Sequence, residues 1–366
     1  MKKSLILVMV IALLSAVILG CSANTTSSGS ASAAPAASSS APAVSSESAS
    51  SSQPSQEIPQ PIEAITFKYG HNNTDDSSIG QAALKFKELV EKKSNGQMKV
   101  EVYGNAQLGN EEELIESLKA GIVDFGSFST GMIAKVVPDY QIFTLPYIFK
   151  DVEQMHKVTD GELGKLLVKK ALDTAKIKIF DSFWTDGVRY YFNNKRPVSK
   201  PEDMKGLKLR VPDQASYIKP TELLGATPVA MPFSEAYVGV TSGMIDGLET
   251  IAAQAVASNF NEVCKYMCLD GHIINPSVLA MNPARFEKLT DEQKAIIEEA
   301  AKETAVFQRG VAADLASKAI DTLKSRGMTI TDVDKEAFKT AVKPAFVELS
   351  ASIDPAMLKI LEEATK

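Results

Sequence analysis

The hydrophobic pattern changes its period repeatedly along the chain after residue 62. Residues 65–69 and 98–102 alternate apolar and polar side chains, and 123–128 forms a third strand-like run. Between these runs, 82–90 and 110–118 carry apolar residues at helical spacing, and the second of them opens with an Asn-x-x-Glu capping pattern. Strand, helix, strand, helix and strand in this order predict an α/β unit built on a parallel sheet.

The later part of the chain is predicted to be mostly helical. A helix-rich stretch covers 152–175, and a strand-like run at 176–184 follows it. The spacing of apolar residues predicts one long amphipathic helix at 287–326 and a short strand at 328–331. Helix returns at 335 and continues to the end, with an interruption at a proline. The whole pattern is that of a mixed α/β protein.

The N-terminus carries the features of a lipoprotein signal peptide. Its first residues are basic, Leu5–Leu19 is almost entirely apolar, and Gly20 stands just before Cys21. This pattern predicts a signal peptide at 1–20 that is cleaved before Cys21, whose thiol then carries lipid. The alternative is a plain membrane span, although the apolar run is shorter than the ~20 residues that a bilayer core requires.

A low-complexity segment separates this leader from the predicted folded part. Residues 21–62 consist mainly of Ser, Ala, Pro, Thr and Gln, so they cannot bury a core and are predicted to be a disordered tether. A flexible coil of roughly 40 residues spans about 35 Å root-mean-square. The remaining residues 63–366 exceed what one hydrophobic core comfortably holds, which predicts two lobes.

Charge and cysteine content exclude some classes of function. The net charge is −6 and no basic run is present, so a nucleic-acid partner is not expected. Besides Cys21, the chain contains Cys264 and Cys268, which are spaced i, i+4. This spacing favours two buried thiols over the alternatives of a disulfide or a metal-binding pair.

The sequence contains no convincing motif for catalysis, a metal or a cofactor. It lacks a Gly-x-Ser-x-Gly elbow, a Walker loop and a Gly-x-Gly-x-x-Gly turn. Its histidines, His71, His156 and His272, are scattered and lack zinc-ligand spacing. We interpret His272 as a structural histidine and predict no cofactor, no metal site and no enzymatic activity.

Two arginines in segment 187–249 are the main candidates for binding chemistry. Arg189 and Arg210 stand at the predicted ends of strand-like runs, and Pro212 ends the second run. A guanidinium where the chain leaves a sheet can bind a carboxylate with two parallel hydrogen bonds. The alternative for each arginine is an internal salt bridge, and the residues themselves leave both possibilities open.

This segment resembles the solute-binding proteins of TRAP transporters, the tripartite ATP-independent periplasmic systems, in the DctP family. The resemblance extends over roughly the whole chain after the N-terminal tail and rests on motifs that occur in the same order: Gly187–Asn194, Pro201–Pro212, Leu224–Pro228, Phe233–Tyr237 and Gly243–Glu249. It implies a two-lobed, type II periplasmic-binding-protein fold with discontinuous lobes and a long helix that spans the hinge. We expect one lobe at about 63–187 and 276–315, and the other at about 188–275 and 316–366.

The resemblance also assigns roles to individual residues. It implies that Arg210 grips the substrate carboxylate and that Arg189 assists.

Five further residues are candidates for contact with the ligand. Asn72 matches a position that hydrogen-bonds ligand, with a turn-forming role as the alternative, and Phe233 matches one that packs against it, with a core role as the alternative. Trp184 either forms a wall of the pocket or packs in the core. Ser129 replaces an acid, and Thr250 replaces an asparagine that holds ligand in relatives, which fits a less polyhydroxylated ligand than sialic acid.

The expected function is capture of an organic carboxylate (a dicarboxylate, sugar acid or keto acid) outside the cytoplasmic membrane. The resemblance implies delivery by lobe closure to a permease with a small and a large membrane subunit, driven by a cation gradient. One rival is a lipoprotein that senses the ligand and presents it to a receptor. Another is an extracytoplasmic enzyme on an α/β scaffold, which the missing catalytic motifs disfavour.

Overall fold

The structure, a computed structural model, describes residues 64–366 except for the side chain of Asp186. The predicted signal peptide, the low-complexity tether and the lipidation site Cys21 lie outside the described residues. Within 64–366, no helix combines the length and the apolar character needed to cross a bilayer.

The elements follow the predicted alternation of strand and helix in the first third of the described chain. The strands are β1 (Ile65–Gly70), β2 (Met98–Tyr103), β3 (Phe125–Ser129), β4 (Lys178–Ile179), β5 (Trp184–Asn193), β6 (Lys208–Val211), β7 (Thr227–Ala230), β8 (Gly247–Ile251), β9 (Tyr266–Met281) and β10 (Thr329–Thr331). The α-helices are α1 (Ser78–Lys93), α2 (Glu111–Lys119), α3 (Thr130–Ile133), α4 (Val152–Thr159), α5 (Glu162–Lys170), α6 (Ala215–Leu223), α7 (Phe233–Thr241), α8 (Ala252–Ala257), α9 (Pro283–Glu287), α10 (Asp291–Ser325), α11 (Lys335–Ser350) and α12 (Pro355–Thr365).

The strands form one mixed sheet in the order β2-β1-β3-β9-β5-β8-β6-β7, with β4 and β10 paired to β9. β1 pairs in parallel with both β2 and β3, and β6 pairs in parallel with both β7 and β8. We call β1–β4 the first half-sheet, and β6, β7, β8 and β10 the second half-sheet. The parallel strands of each half-sheet confirm the predicted α/β architecture.

Two long strands join the half-sheets. β9 pairs with β3 and β4 near its C-terminal end and with β10 near its N-terminal end, and β5 runs antiparallel to it. The β5–β9 register shifts between Thr185 and Gly187, where Gly187 adopts φ +100°, a conformation that side chains with a Cβ rarely adopt. The bulge therefore bends β5 just before Arg189.

The helix α10 begins at a capping box formed by Thr290 and Gln293. Its 35 residues extend about 50 Å, at 1.5 Å per residue. Its first half packs on α1, and its second half packs on α8 and β10. The buried Gln308 lies between, and its amide pairs with both the N–H and the C=O of Thr185 at 3.1 and 2.7 Å. The helix thus spans both half-sheets and is fixed to β5 near its midpoint.

Apolar residues cover both faces of the first half-sheet. Along β9, Leu279 belongs to the core beneath α1 and α10, whereas Val278 and Ala280 belong to a second core that includes Leu349 and Leu361 of the C-terminal helices. This alternation is the period-2 pattern of a strand buried on both faces.

The C-terminal helices differ from the lobe assignment expected from the sequence. α12 packs on α4 and α5 beside the first half-sheet, although 316–366 is expected in the other lobe. α11 contacts both regions, since Phe338 packs with Leu209 while Leu349 lies in the core around β3 and β9. Helical spacing shows which face of a helix is apolar, but it does not show which partner covers that face.

Two local expectations about strands also change. The predicted strand at 176–184 is reduced to the two residues of β4, and β5 begins only at Trp184. Arg189 therefore lies in the middle of β5, and not at a strand end. Arg210 lies in β6 one residue before its end, as predicted.

Candidate functional site

A cleft of about 430 Å³ lies where the two half-sheets meet. It is lined by residues at the carboxyl ends of β1, β3, β6 and β7, which is where ligands bind in open α/β sheets. Its polar lining consists of Asn72, Asn73, Asn110, Glu111, Glu112, Ser127, Ser129, Lys135, Arg189, Arg210, Asp213, Gln214, Tyr217, Gln254 and Ser277.

Arg210 is buried in the wall of this cleft, with 4% of its surface exposed. Its Nε donates a hydrogen bond to the carbonyl oxygen of Met231 at 2.9 Å, and its guanidinium carbon lies 5.6 Å from the centre of the Phe233 ring. None of the described carboxylates forms an ion pair with it. Burial lowers the pKa of Arg210 to about 10, against the partial support of Glu249, so the side chain remains cationic at neutral pH. A cation in this position favours an anionic ligand.

Arg189 also lines the cleft, but it is paired with a carboxylate of the protein. Its Nε and Nη2 donate to the two carboxylate oxygens of Glu249 at 2.5 and 2.6 Å, and its guanidinium lies 4.9 Å from the Tyr217 ring centre. β5 and β8 bring the pair together, because they run antiparallel with Arg189 opposite Ile251. The structure thus contains the internal salt bridge that the sequence analysis left open as the alternative.

A chain of buried charges continues behind Glu249. His272 Nε2 lies 3.4 Å from Glu249, and His272 Nδ1 lies 2.7 Å from Asp270. Burial opposes ionisation of Glu249, yet Arg189 and His272 lower its pKa to about 2. Burial also opposes protonation of His272, yet Asp270 and Glu249 raise its pKa to about 9. The four groups therefore carry alternating charges that balance at neutral pH, and the interpretation of His272 as a structural histidine agrees with this geometry.

Five of the seven residues predicted to bind ligand come together in the cleft. They are Arg210, Arg189, Asn72, Ser129 and Phe233, which lie on five different elements of the fold. The side-chain oxygen of Asn72 is buried without a hydrogen-bond partner among the residues of the described range. Ser129 caps α3 by accepting from the Met132 N–H at 3.2 Å, and its own N–H donates to Glu111.

The other two predicted residues lie outside the cleft lining. Trp184 is fully buried in the core beneath α1 and α10, which is the packing alternative left open by the sequence. Thr250 is also fully buried, because it lies on β8 between neighbouring strands. Its hydroxyl is 3.2 Å from the side-chain oxygen of Gln254, which does line the cleft. Thr250 therefore contacts the site only through Gln254.

A lysine connects the two sides of the cleft mouth. Lys135, just after α3, lies 2.9 Å from Glu112 at the start of α2 and 2.8 Å from Asp213 just after β6. The two carboxylates are largely exposed, so water and salt weaken both ion pairs. This bridge links the first half-sheet to the second in the described conformation.

Several residues of the site were not predicted from the sequence. Tyr217, Gln254, Lys135 and Ser277 line the cleft, and each is an ordinary residue type without a motif around it. Only the position of Tyr217, shortly after Arg210 and Pro212, hinted at the site. The others reach it through pairing between distant segments, which a single sequence does not display.

The described chain shows no arrangement suited to a metal or a disulfide. No group of three or more His, Cys, Asp or Glu side chains in 64–366 could hold a metal ion. Cys264 and Cys268 are separate buried thiols, which confirms the favoured interpretation of this pair. Burial raises the pKa of Cys264 to about 12, so this thiol is protonated at neutral pH.

Comparison with known proteins identifies the family. The sequence profile described as bacterial extracellular solute-binding protein, family 7 (DctP), matches residues 69–352. The C4-dicarboxylate-binding periplasmic protein DctP of Rhodobacter capsulatus is 33% identical over 84% of this chain and 93% of its own length. The 2,3-diketo-L-gulonate-binding periplasmic protein YiaO of Escherichia coli is 31% identical over 76% of this chain and 84% of its own.

Solved structures agree with the sequence comparisons. The sugar-acid-binding protein DctPAm of Advenella mimigardefordensis, in complex with galactonate, has a TM-score of 0.79 and 31% identity, and covers 83% of this chain and 98% of its own. A TRAP periplasmic solute-binding protein from Sulfitobacter sp. with bound β-D-galacturonate has a TM-score of 0.78 and 30% identity, and covers 82% of this chain and 99% of its own. These similarities confirm the predicted two-lobed, type II α/β fold. The chain thus belongs to the DctP family of TRAP-transporter solute-binding proteins, a family of bacterial extracytoplasmic carboxylate binders.

Proposed function

We propose that this protein captures an organic carboxylate in the cleft around Arg210 and delivers it to the small and large membrane subunits of a TRAP permease. The observation that carries the proposal is the environment of Arg210. A guanidinium with 4% exposure has lost most of its hydration, and no described carboxylate replaces it. A ligand carboxylate would supply the missing counter-charge through charge-assisted hydrogen bonds.

In this proposal, the remaining lining completes the ligand's shell. Phe233 packs beside Arg210, while Asn72 and Ser129 contribute polar groups from the opposite half-sheet. Arg189 forms part of the wall of the cleft, in a position that its bonds to Glu249 fix. Closure of the cleft would favour the bound state only to the extent that ligand binds the closed form better than the open form.

Two further parts of the proposal concern location and delivery. We propose that lipid on Cys21 tethers the protein to the outer face of the cytoplasmic membrane, and that 21–62 gives the domain its reach. A tether of this kind raises the effective concentration of the binding domain near a membrane partner. Cys21→Ser should release the protein from the membrane fraction without changing ligand affinity, whereas retention with lipid still attached would contradict the tether.

A ligand screen by thermal shift tests the central part of the proposal. The panel pairs each acid with a neutral counterpart: D-galacturonate with D-galactose, D-galactonate with galactonamide, and succinate with succinamide. An acid at 100 times its dissociation constant should add about 2.7 kcal/mol of stability. We expect acids to raise the melting temperature and neutral counterparts to have little effect. Equal stabilisation by a neutral counterpart, or no response to any acid, would overturn the proposal.

A further inference from the structure

One serine in the cleft has a hydroxyl group that the fold leaves without a partner. Ser277 lies on β9, directly opposite Ser129 of β3 on one side and Trp184 of β5 on the other. Only 2% of its surface is exposed, and it lines the cleft that contains Arg210. Its Oγ neither accepts nor donates a hydrogen bond within the part of the chain that the structure describes.

Two neighbouring serines in the same wall of the cleft do form hydrogen bonds within the protein. Ser127 and Ser129 are two residues apart on β3, so they face the same side of the sheet, and Ser277 pairs across the ladder with Ser129. Ser127 Oγ lies 2.5 Å from the hydroxyl of Tyr69, and Ser129 Oγ accepts from the Met132 N–H at 3.2 Å. Among these three serines, therefore, only Ser277 has a hydroxyl group with no hydrogen bond to the described residues.

A second unpartnered group lies in the same cleft. The side-chain oxygen of Asn72, in the loop after β1, is also buried and has no partner among residues 64–366. This oxygen accepts hydrogen bonds, so a carboxylate cannot satisfy it, whereas a ligand hydroxyl can. Buried polar groups in proteins are nearly always hydrogen-bonded, and an exception requires an explanation. A hydroxylated ligand explains both groups at once.

We propose that Ser277 binds a hydroxyl group of the ligand and makes the site selective for hydroxylated carboxylates over their deoxy analogues. This inference rests on the proposed function, because Arg210 must first hold the carboxylate of the same ligand. A site built to hydrogen-bond a hydroxyl group discriminates against an analogue that lacks it, since the buried protein group is then left unpaired. The selectivity that Ser277 supplies is therefore separate from the affinity that Arg210 supplies.

Substitution of Ser277 distinguishes a ligand-binding hydroxyl from a structural one. Ser277→Ala removes a buried group that has no partner among the described residues, so the melting temperature without ligand should stay the same or rise. Ser127→Ala is the matched control, because it removes a buried serine of the same wall that bonds Tyr69. Its melting temperature without ligand should fall, since the Tyr69 hydroxyl then loses its partner.

The binding experiment uses D-galactonate, D-galacturonate and the monodeoxy derivatives of each, titrated calorimetrically into wild type and both variants. For the acid that wild type binds, Ser277→Ala should weaken binding about 2- to 12-fold, as expected for one lost hydrogen bond. One monodeoxy derivative should bind wild type less well than the parent acid does, by a similar factor. Its affinity for Ser277→Ala should equal its affinity for wild type. Ser127→Ala should retain the discrimination of wild type.

The possible failures point to different conclusions. The first failure is that wild type binds neither D-galactonate nor D-galacturonate, and that Arg210→Ala responds to every acid of the thermal-shift panel as wild type does. In that case the proposed function is overturned, and the role of Ser277 is overturned with it. If wild type binds an acid through Arg210 and Ser277→Ala binds it and all deoxy derivatives as wild type does, only the role of Ser277 is overturned. A lower melting temperature of Ser277→Ala without ligand, with all acids weakened equally, would show a structural role and also overturn it.

Discussion

The two buried arginines of the cleft have similar exposure but opposite electrostatic surroundings. Arg189 forms two hydrogen bonds with the carboxylate of Glu249, and His272 and Asp270 extend the alternation of charge behind this pair. Arg210 instead donates a hydrogen bond from its Nε to a neutral group, the carbonyl oxygen of Met231. Burial alone therefore does not distinguish the two arginines, whereas the presence or absence of a protein counter-charge does.

Because of this difference, we expect the two arginines to contribute differently to stability and to ligand binding. The region around Arg189 carries balanced charges in fixed positions, so its contribution to stability does not depend on ligand. Arg210 lies in the cleft wall without an ion pair to a described carboxylate, although Glu249 and Glu111 partly offset its charge, and desolvation of that charge disfavours the ligand-free state. Stability experiments should respond mainly to the first region, and affinity experiments mainly to the second.

Arg210→Ala should give the largest effect on affinity. Each charge-assisted hydrogen bond contributes roughly 1.5–3 kcal/mol, so the loss of two should weaken binding of a carboxylate by about 100- to 10,000-fold. The melting temperature without ligand should stay close to that of wild type, because removal of the desolvated charge offsets the lost bond to Met231. Calorimetric titration and thermal melting of the same preparation measure both quantities.

Two variants serve as controls for this effect. Lys208→Ala removes an exposed positive charge two residues away on β6 and should change affinity less than about threefold. Arg210→Lys keeps the charge but loses the planar fork, and should weaken binding on the order of 10- to 100-fold. Unchanged affinity in Arg210→Ala would contradict the contrast between the two arginines.

Glu249→Gln should give the largest effect on stability. It leaves Arg189 and His272 buried without their shared counter-charge, which costs about 3–5 kcal/mol and lowers the melting temperature on the order of 10 °C. Glu262→Gln is the control, because this exposed glutamate accepts a hydrogen bond from the Tyr237 hydroxyl and should shift melting by less than about 2 °C. A Glu249→Gln protein that melts like wild type would remove the basis for a structural role of Arg189.

The pH dependence of stability reports on the same region. The pKa of His272 rises from 6.5 to about 9 on folding, so its stabilising contribution is complete below pH 6.5 and is lost as the pH rises through about 9. Between pH 6.5 and 8.5 the loss should be on the order of 2 kcal/mol, which denaturant titration can measure. His272→Gln should abolish most of this slope, whereas an unchanged slope in the variant would assign it to other groups.

The lysine bridge at the cleft mouth should give the smallest effect. Lys135→Met removes its ion pairs with Glu112 and Asp213, which are largely exposed, and should weaken ligand binding less than about fivefold. The effect should decrease further in 0.5 M salt, because exposed ion pairs are screened. A salt-independent loss larger than tenfold would instead indicate direct contact between Lys135 and the ligand.

Local features of the fold could be predicted from the sequence because their causes are local. The Asn110–Glu113 capping box, the apolar face of α1 and the long helix α10 all appear as expected. Each depends on residues within a few turns of one another, so periodicity and capping chemistry are sufficient.

The features that decide function depend on contacts between distant segments. Arg189 and Glu249 are 60 residues apart and meet only because β5 and β8 pair, so the sequence could not choose between a ligand and a salt bridge. For the same reason, the sequence could not show that Thr250 is buried within the sheet while Gln254 reaches the cleft. Arg210 was predicted because a strand ending in a proline, together with the family resemblance, marked its position.

The most direct test of the central claim is a crystal structure of the protein with the acid that stabilises it most in the thermal-shift panel. Both oxygens of the ligand carboxylate should lie within about 2.7–2.9 Å of guanidinium nitrogens of Arg210. Arg189 should remain bonded to Glu249. A ligand carboxylate held by other groups, with Arg210 paired to a carboxylate of the protein, would contradict the account.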